Sequence, residues 1–227
     1  MLIANEVRKM RNVVCFLFMA LSVSIGNAQN RPDQLNLRLK TGDLLFCRTT
    51  AGDLSKAIDQ VTQTGKETHY SHVGIIDIRN DTIWVLHSAP EKGVCCEVLS
   101  SFLNPENEKR IATAYRLKSK YLKTIPAAIQ KARELIGQQY NFTYILKDQG
   151  YYCSEYIYEL FPADSIFTLN PMTFKNPKTG QFIPEWISHY QKLGIAIPEG
   201  EPGCNPNGMA ASETLEMIGE VKFAEKD

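Results

Sequence analysis

A chain of 227 residues with 44% hydrophobic and 22% charged side chains holds enough apolar material for one domain with a sizeable core. Its 25 basic residues balance its 25 acidic ones, so no strong field steers it towards nucleic acid. Six scattered cysteines, with no C-x-x-C spacing, exclude a disulfide-dense scaffold and the usual zinc or thioredoxin-like motifs.

The N-terminus reads as an export signal rather than as fold. Arg8, Lys9 and Arg11 precede an apolar run from Val13 to Ile25, and Gly26-Asn27-Ala28 places small residues where a signal peptidase cuts. Cleavage is expected after Ala28. An uncleaved anchor is the competing reading, but the run is short against the ~20 residues of a membrane span. The mature chain would carry 22 basic and 24 acidic side chains, with no later stretch apolar enough to cross a bilayer. A periplasmic or secreted location follows. Five cysteines would remain, an odd number, so at least one thiol stays unpaired.

Residues 29–38 are polar and read as a loose segment, and residues 39–227 as one domain. Leu39 to Asp43 reads as a turn and Leu44 to Cys47 as a short buried strand. Weak helical spacing covers Gly52 to Gln60, and a polar loop follows from Thr62 to Thr68. A hairpin comes next, with Val73–Ile78 and Thr82–His87 as strands around the turn Arg79-Asn80-Asp81. Folding about that turn brings His72 opposite His87 or its immediate neighbour. Val94–Val98 and Ala112–Leu117 are further strands. Thr124, Pro126 and Gly137 bracket a helix, and a second helix begins near Cys153 and stops before Pro162. The Pro- and Gly-rich last fifty residues read as an ordered wrap with a short helix from Glu185 to Leu193.

Two features carry chemistry. Cys153, in Tyr151-Tyr152-Cys153-Ser154-Glu155, opens a helix, where the macrodipole favours a thiolate. His72, in Tyr70-Ser71-His72-Val73-Gly74, stands at the mouth of a strand. A thiol nucleophile, an imidazole and a polar orienting group make a thiol hydrolase. The assignment is Cys153 as nucleophile, His72 as base and His87 as orienter, with His69 the rival of His72 and His189 structural. The backbone N–H of Cys153 is the expected oxyanion donor. Tyr70, Tyr151, Tyr152 and Ser154 are candidates for lining the cleft, and Glu155 is read as a helix-dipole partner. No metal or other cofactor is expected, since His69, His72, Cys95 and Cys96 match no usual ligand spacing.

Gly42-Asp43-Leu44-Leu45-Phe46, Tyr70-Ser71-His72-Val73-Gly74-Ile75 and Tyr151-Tyr152-Cys153-Ser154-Glu155, in that order, resemble the permuted papain-like hydrolases of the YiiX/YaeF type, circularly permuted relatives of the NlpC-type peptidoglycan hydrolases. Gly137-Gln138-Gln139-Tyr140-Asn141 is similar to a family segment that usually ends in Asp, and the likeness runs from about Leu39 to Ser212. The resemblance implies an α+β fold, a small antiparallel β-barrel or sheet packed against the helix that carries the catalytic cysteine. It also implies a Cys, a His and a third polar residue on the next strand, often Glu. Here His87 occupies that place, a choice shared with acyltransferase relatives of the fold.

The leading expectation is therefore an exported cysteine peptidase or amidase acting on a small peptide or amide, with cell-wall peptides as natural candidates. The alternatives are an acyl hydrolase or acyltransferase on lipid-linked substrates, and a non-catalytic envelope-binding domain. No nucleic-acid partner is expected, and no stable membrane span after signal cleavage.

Overall fold

The computed structural model describes residues 30–49, 53–105 and 110–223. The export signal expected over residues 1–28 lies outside them. No helix among the described residues is long and apolar enough to cross a membrane.

The frame is a six-stranded antiparallel sheet. Its strands are β1 (Leu44–Thr49), β2 (His72–Arg79), β3 (Thr82–Ala89), β4 (Gly93–Val98), β5 (Arg110–Leu117) and β8 (Leu215–Glu220), in the spatial order β4-β3-β2-β1-β5-β8. The sheet is open, so of the two forms the resemblance allowed, the sheet is the one present. The β2–β3 hairpin turns on Asn80 and Asp81, both at positive φ (49° and 55°), as a two-residue turn of the right twist requires. Its register pairs Gly74, not His72, with His87.

Alternation along the strands divides the interior into two clusters. Val73, Ile75, Leu86, Val94, Leu44 and Phe46 face one side, where they meet α4 (Cys153–Glu159) and α3 (Ile125–Glu134). Ile76, Val85, Leu45, Cys47, Ala112 and Ala114 face the other, covered by Leu99, Phe102 and Leu103 of α2 (Leu99–Leu103). Two bidentate ion pairs fasten the ends of the frame. Arg116 donates to both oxygens of buried Asp43 at 2.7 Å, and Arg133 to both oxygens of buried Asp77 at 2.8 Å. The Gly42-Asp43 turn is thereby structural: Gly42 sits at φ +91°, and a Cβ there would lie 2.6 Å from the Ile125 side chain.

Three expectations change. The segment 29–38 is not loose from Asn30 onward. Asn30 is fully buried, its carbonyl accepting from the amide of Ile83 and its side chain from the amide of Ser100, while Asn36 pairs with Lys222 and Glu220. The helix expected to run to Gly137 stops at Glu134, because Gly137 and Gln138 turn to exchange hydrogen bonds with Val94 of β4. The C-terminal wrap does more than wrap. After α5 (Pro184–Leu193), the short pair β6 (Asn170–Pro171) and β7 (Pro202–Gly203), and α6 (Pro206–Ala210), it supplies β8 as an edge of the sheet.

Candidate active site

Cys153 is the first residue of α4. The turn is set by Glu155, whose carboxylate reaches back to the amide of Tyr152 at 3.0 Å, satisfying one of the donors a helix start leaves over. Asn141 donates to the same carboxylate oxygen at 3.1 Å. Burial holds the Glu155 carboxyl up at about 7 despite these two donors. An Asp at position 141, the usual residue in the resembling segment, would offer no donor there. The Asn is matched to a buried Glu155.

The Cys153 sulfur rests against the backbone on either side of His72. It lies 4.0 Å from the Ser71 carbonyl oxygen, and the backbone N–H groups of Ser154 and Val73 act to lower its pKa. Those donors favour a thiolate, but burial outweighs them and pushes the thiol up to about 11. The resting group is therefore a thiol, contrary to what the helix dipole alone suggests. Its residue is 5% exposed and forms part of a cleft wall.

His72 and His87 are brought together. They lie on one face of the sheet, and Nε2 of His72 is 3.0 Å from Nδ1 of His87. The Nε2 of His87 is in turn 3.1 Å from Oε2 of Glu97 on β4. Glu97 is held ionised, at about 2, chiefly by its hydrogen bond from His87 and then by Lys92 on its other oxygen. Burial lowers both imidazoles, that of His72 well below its ordinary value with help from the charge of Arg110. Both rings are neutral at neutral pH, and their tautomers follow from the partners. The carboxylate takes the Nε2–H of His87, so Nδ1 of His87 accepts. His72 must then donate from Nε2, and its Nδ1 is left bare. Phe102 packs against both rings at 5.8 and 4.9 Å between centroids and keeps water from the pair.

The remaining sequence candidates separate clearly. His69 is half exposed and pairs with Asp59 at 2.9 Å, away from the cysteine, and His189 caps the Phe142 carbonyl at 2.8 Å among Tyr144, Trp186 and Tyr190. Tyr152 and Ser154 do line the cleft. Tyr70 and Tyr151 do not. The ring of Tyr70 is turned into the core against Phe46 and Tyr115, and Tyr151 contributes its carbonyl to the hydroxyl of Ser88. Glu97 was missed. Its signal was a carboxylate on the apolar strand Val94–Val98, two residues from Cys95 and so on the same face, but pairing that strand with the hairpin was needed to see it meet His87.

The cleft beside the sulfur encloses about 650 Å³ of empty space, counting its open mouth. Its walls include Ile58, Val61, Tyr144, Met172, Phe174 and Trp186, and among the described residues no Asp, Glu, Lys or Arg lines it.

Comparison with known proteins agrees with this architecture. The family described as permuted papain-like amidase enzymes, YaeF/YiiX, matches residues 38–219. A crystal structure described as the metalloprotein yiiX from Escherichia coli O157:H7 superposes with a TM-score of 0.63 at 20% identity, covering 79% of this chain and 96% of that one. None of the curated proteins matches. With the match running from before β1 into β8, the chain belongs to the permuted papain-like amidase family of the YaeF/YiiX type.

Proposed function

We propose that this protein is an exported cysteine hydrolase that cleaves an amide bond next to an apolar acyl group. The observation that carries the reading is the ordered chain Glu97–His87–His72, whose last free nitrogen, Nδ1 of His72, belongs to the residue whose flanking backbone cradles the Cys153 sulfur.

Because the thiol starts protonated, attack and proton transfer go together. Sγ bonds to the substrate carbonyl carbon while its proton passes to Nδ1 of His72, the imidazole turning towards the sulfur from the face of the sheet it shares with His87 and Phe102. The positive charge that develops is shared with His87 and answered by the Glu97 carboxylate. Nδ1–H then protonates the leaving amine, and the C–N bond breaks to leave a thioester on Cys153. Water, deprotonated by His72, attacks the thioester, releasing the carboxylic acid and restoring the thiol. The oxyanion is met by the backbone N–H of Cys153, which has no partner inside the helix, and by the hydroxyl of Ser71. Ser71 lines the cleft, and its hydroxyl is buried with no hydrogen-bond partner among the described residues.

The uncharged, aromatic cleft speaks for the acyl side of the substrate. Cell-wall stem peptides carry carboxylates, and a wall with no cation offers them nothing. A long apolar acyl group is matched. The same wall favours a second reading, an acyl ester or lipid-linked substrate cleaved or transferred by the same thioester. Export is supported by the basic, apolar and small-residue pattern of residues 8–28.

The test is a panel of N-acyl amides, acyl esters and cell-wall peptides incubated with wild type and Cys153→Ala, with products and the acyl-enzyme read by mass spectrometry. The expected result is an acyl adduct on Cys153 and release of apolar acids by wild type alone. Equal turnover by the variant removes the thiol mechanism, and exclusive action on charged stem peptides removes the apolar substrate.

A further inference from the structure

His87 has neighbours that the hydrolase reaction does not use. Cys95 of β4 is its register partner, and Glu97 lies two residues along the same face of that strand. One donor atom from each of His87, Cys95 and Glu97 lies within 4.8 Å of the others. The separations are 3.4 Å between the Cys95 sulfur and Nε2 of His87, and 3.1 Å between that nitrogen and Oε2 of Glu97. A tetrahedral zinc ion, with bonds of ~2.0–2.1 Å to nitrogen and oxygen and ~2.3 Å to sulfur, sets its donors about 3.3–3.6 Å apart. The two separations from Nε2 of His87 need to open by only a few tenths of an ångström. Lys92 holds Oε1 of Glu97 and leaves Oε2 for the ion. Strand β4 is the edge of the sheet, and Cys95 and Glu97 are only partly buried, so an ion has a path in.

We propose that His87, Cys95 and Glu97 form a zinc site that switches the relay off. Binding takes Nε2 of His87 and the thiolate of Cys95, with one oxygen of Glu97 and a water completing the shell. The Cys95 thiol releases its proton to solvent. The proton of His87 moves from Nε2 to Nδ1, the tautomer that a neutral metal-bound imidazole must adopt. Nδ1–H of His87 now donates to Nε2 of His72, so His72 carries its own proton on Nδ1. The nitrogen that should accept the proton of Cys153 has become a donor, and the thiol stays a thiol. The switching half of the proposal rests on the relay described above; the binding half does not.

The experiment uses the mature full chain, zinc alone as the probe and two readouts. Zinc affinity comes from competition with a chromogenic chelator, and the ring-nitrogen signals of the four histidines in ¹⁵N NMR report which nitrogen bears the proton or the metal. The expected result is one zinc per chain, a metal-shifted Nε2 of His87 and a swap of the protonated nitrogen in His72, reversed by EDTA. Cys95→Ser should bind at least about tenfold more weakly and keep the zinc-free tautomers and turnover of wild type. Equal zinc affinity in Cys95→Ser, or zinc that leaves the His87 nitrogens unmoved, overturns the site. Zinc bound at His87 with His72 unchanged overturns the switch. If Cys153→Ala turns over like wild type, the hydrolase reading falls while the nitrogen signals still decide the zinc site.

Discussion

Nε2 of His72 lies 3.0 Å from Nδ1 of His87 although the two residues are not register partners. The contact is diagonal, from the first residue of β2 to a residue of β3 whose direct partner is Gly74. A Cβ on Gly74 would come 3.2 Å from Cβ of His87 and 2.7 Å from the Val85 side chain, so the glycine leaves the space through which the two rings meet. Gly74→Ala should therefore lower stability by about 1–3 kcal/mol through overpacking and push the rings apart. Urea unfolding and the His72 nitrogen signals check the two effects. A variant with wild-type stability and an unshifted His72 would show that the diagonal contact does not depend on the glycine.

Glu97 fixes the proton positions in both imidazoles and answers the charge that forms during attack. Glu97→Gln keeps an acceptor for Nε2–H of His87 but removes the charge, and it adds an amide that can also donate and so favour the wrong tautomer. kcat should fall by about 10²–10⁴ with little change in KM, since the carboxylate is remote from the cleft. Glu97→Asp should recover part of the loss. A fall in affinity at constant kcat would mean that Glu97 acts on the substrate instead.

The pH profile should be broad and shifted towards acid. His72 works as a base only when neutral, and burial, the nearby charge of Arg110 and then His87 lower its pKa well below 6.5. A lowered pKa moves protonation to lower pH, so the acid limb of kcat/KM should fall well below pH 6.5. At the other end burial holds the Cys153 thiol up at about 11, so no alkaline limb from the thiol should appear near neutrality. The same shift links to folding. The unfolded chain takes up the His72 proton first as pH drops, so stability is full above about 6.5 and declines as pH falls towards the folded pKa. An acid limb centred at the ordinary imidazole value would mean that His72 is solvated in the working enzyme.

Much of this site was legible in the chain, and the exceptions have physical reasons. The hairpin turn and the two strand periods placed His72 and His87 on one face, and the helix start at Cys153 was marked by Glu155 three residues into the turn. Ring orientation was not legible for Tyr70, because an aromatic at a strand mouth can turn inwards or outwards, and Phe46 and Tyr115, distant in sequence, decide it. The protonation of Cys153 was misjudged for a related reason. The dipole is local and visible, whereas desolvation is made by residues from every part of the chain, and here it is the larger effect. Strand β8 went unseen because Leu215–Glu220 carries exposed side chains on an edge, so its period is weak.

The pairing of Asn141 with Glu155 makes a sharp stability prediction. Asn141→Asp removes a donor to a buried carboxylate and sets a second carboxylate beside it. Glu155 has a pKa of about 7, so below that value it can carry a proton and share it with the new Asp, while above it the two charges repel. The variant should be close to wild type at pH 5 and lose about 1.5–3 kcal/mol at pH 8. Thermal melts at the two pH values measure the difference, and equal losses at both would show that the Asn side chain serves packing and not charge.

Ser71 offers the last test, because its hydroxyl lines the cleft that Cys153 also lines and, like the indole N–H of Trp186, has a proton to donate and no partner among the described residues. If it meets the oxyanion, Ser71→Ala should reduce kcat by about 10–10³ and leave KM near wild type, the pattern of an interaction made only in the transition state. Its folding cost should be small, since removing an unpartnered buried hydroxyl breaks no hydrogen bond. Ser71→Thr keeps the donor, and recovery of kcat by that variant would separate hydrogen bonding from shape. A rise in KM with kcat unchanged would instead place the hydroxyl on the bound substrate, and leave the backbone N–H of Cys153 as the oxyanion donor.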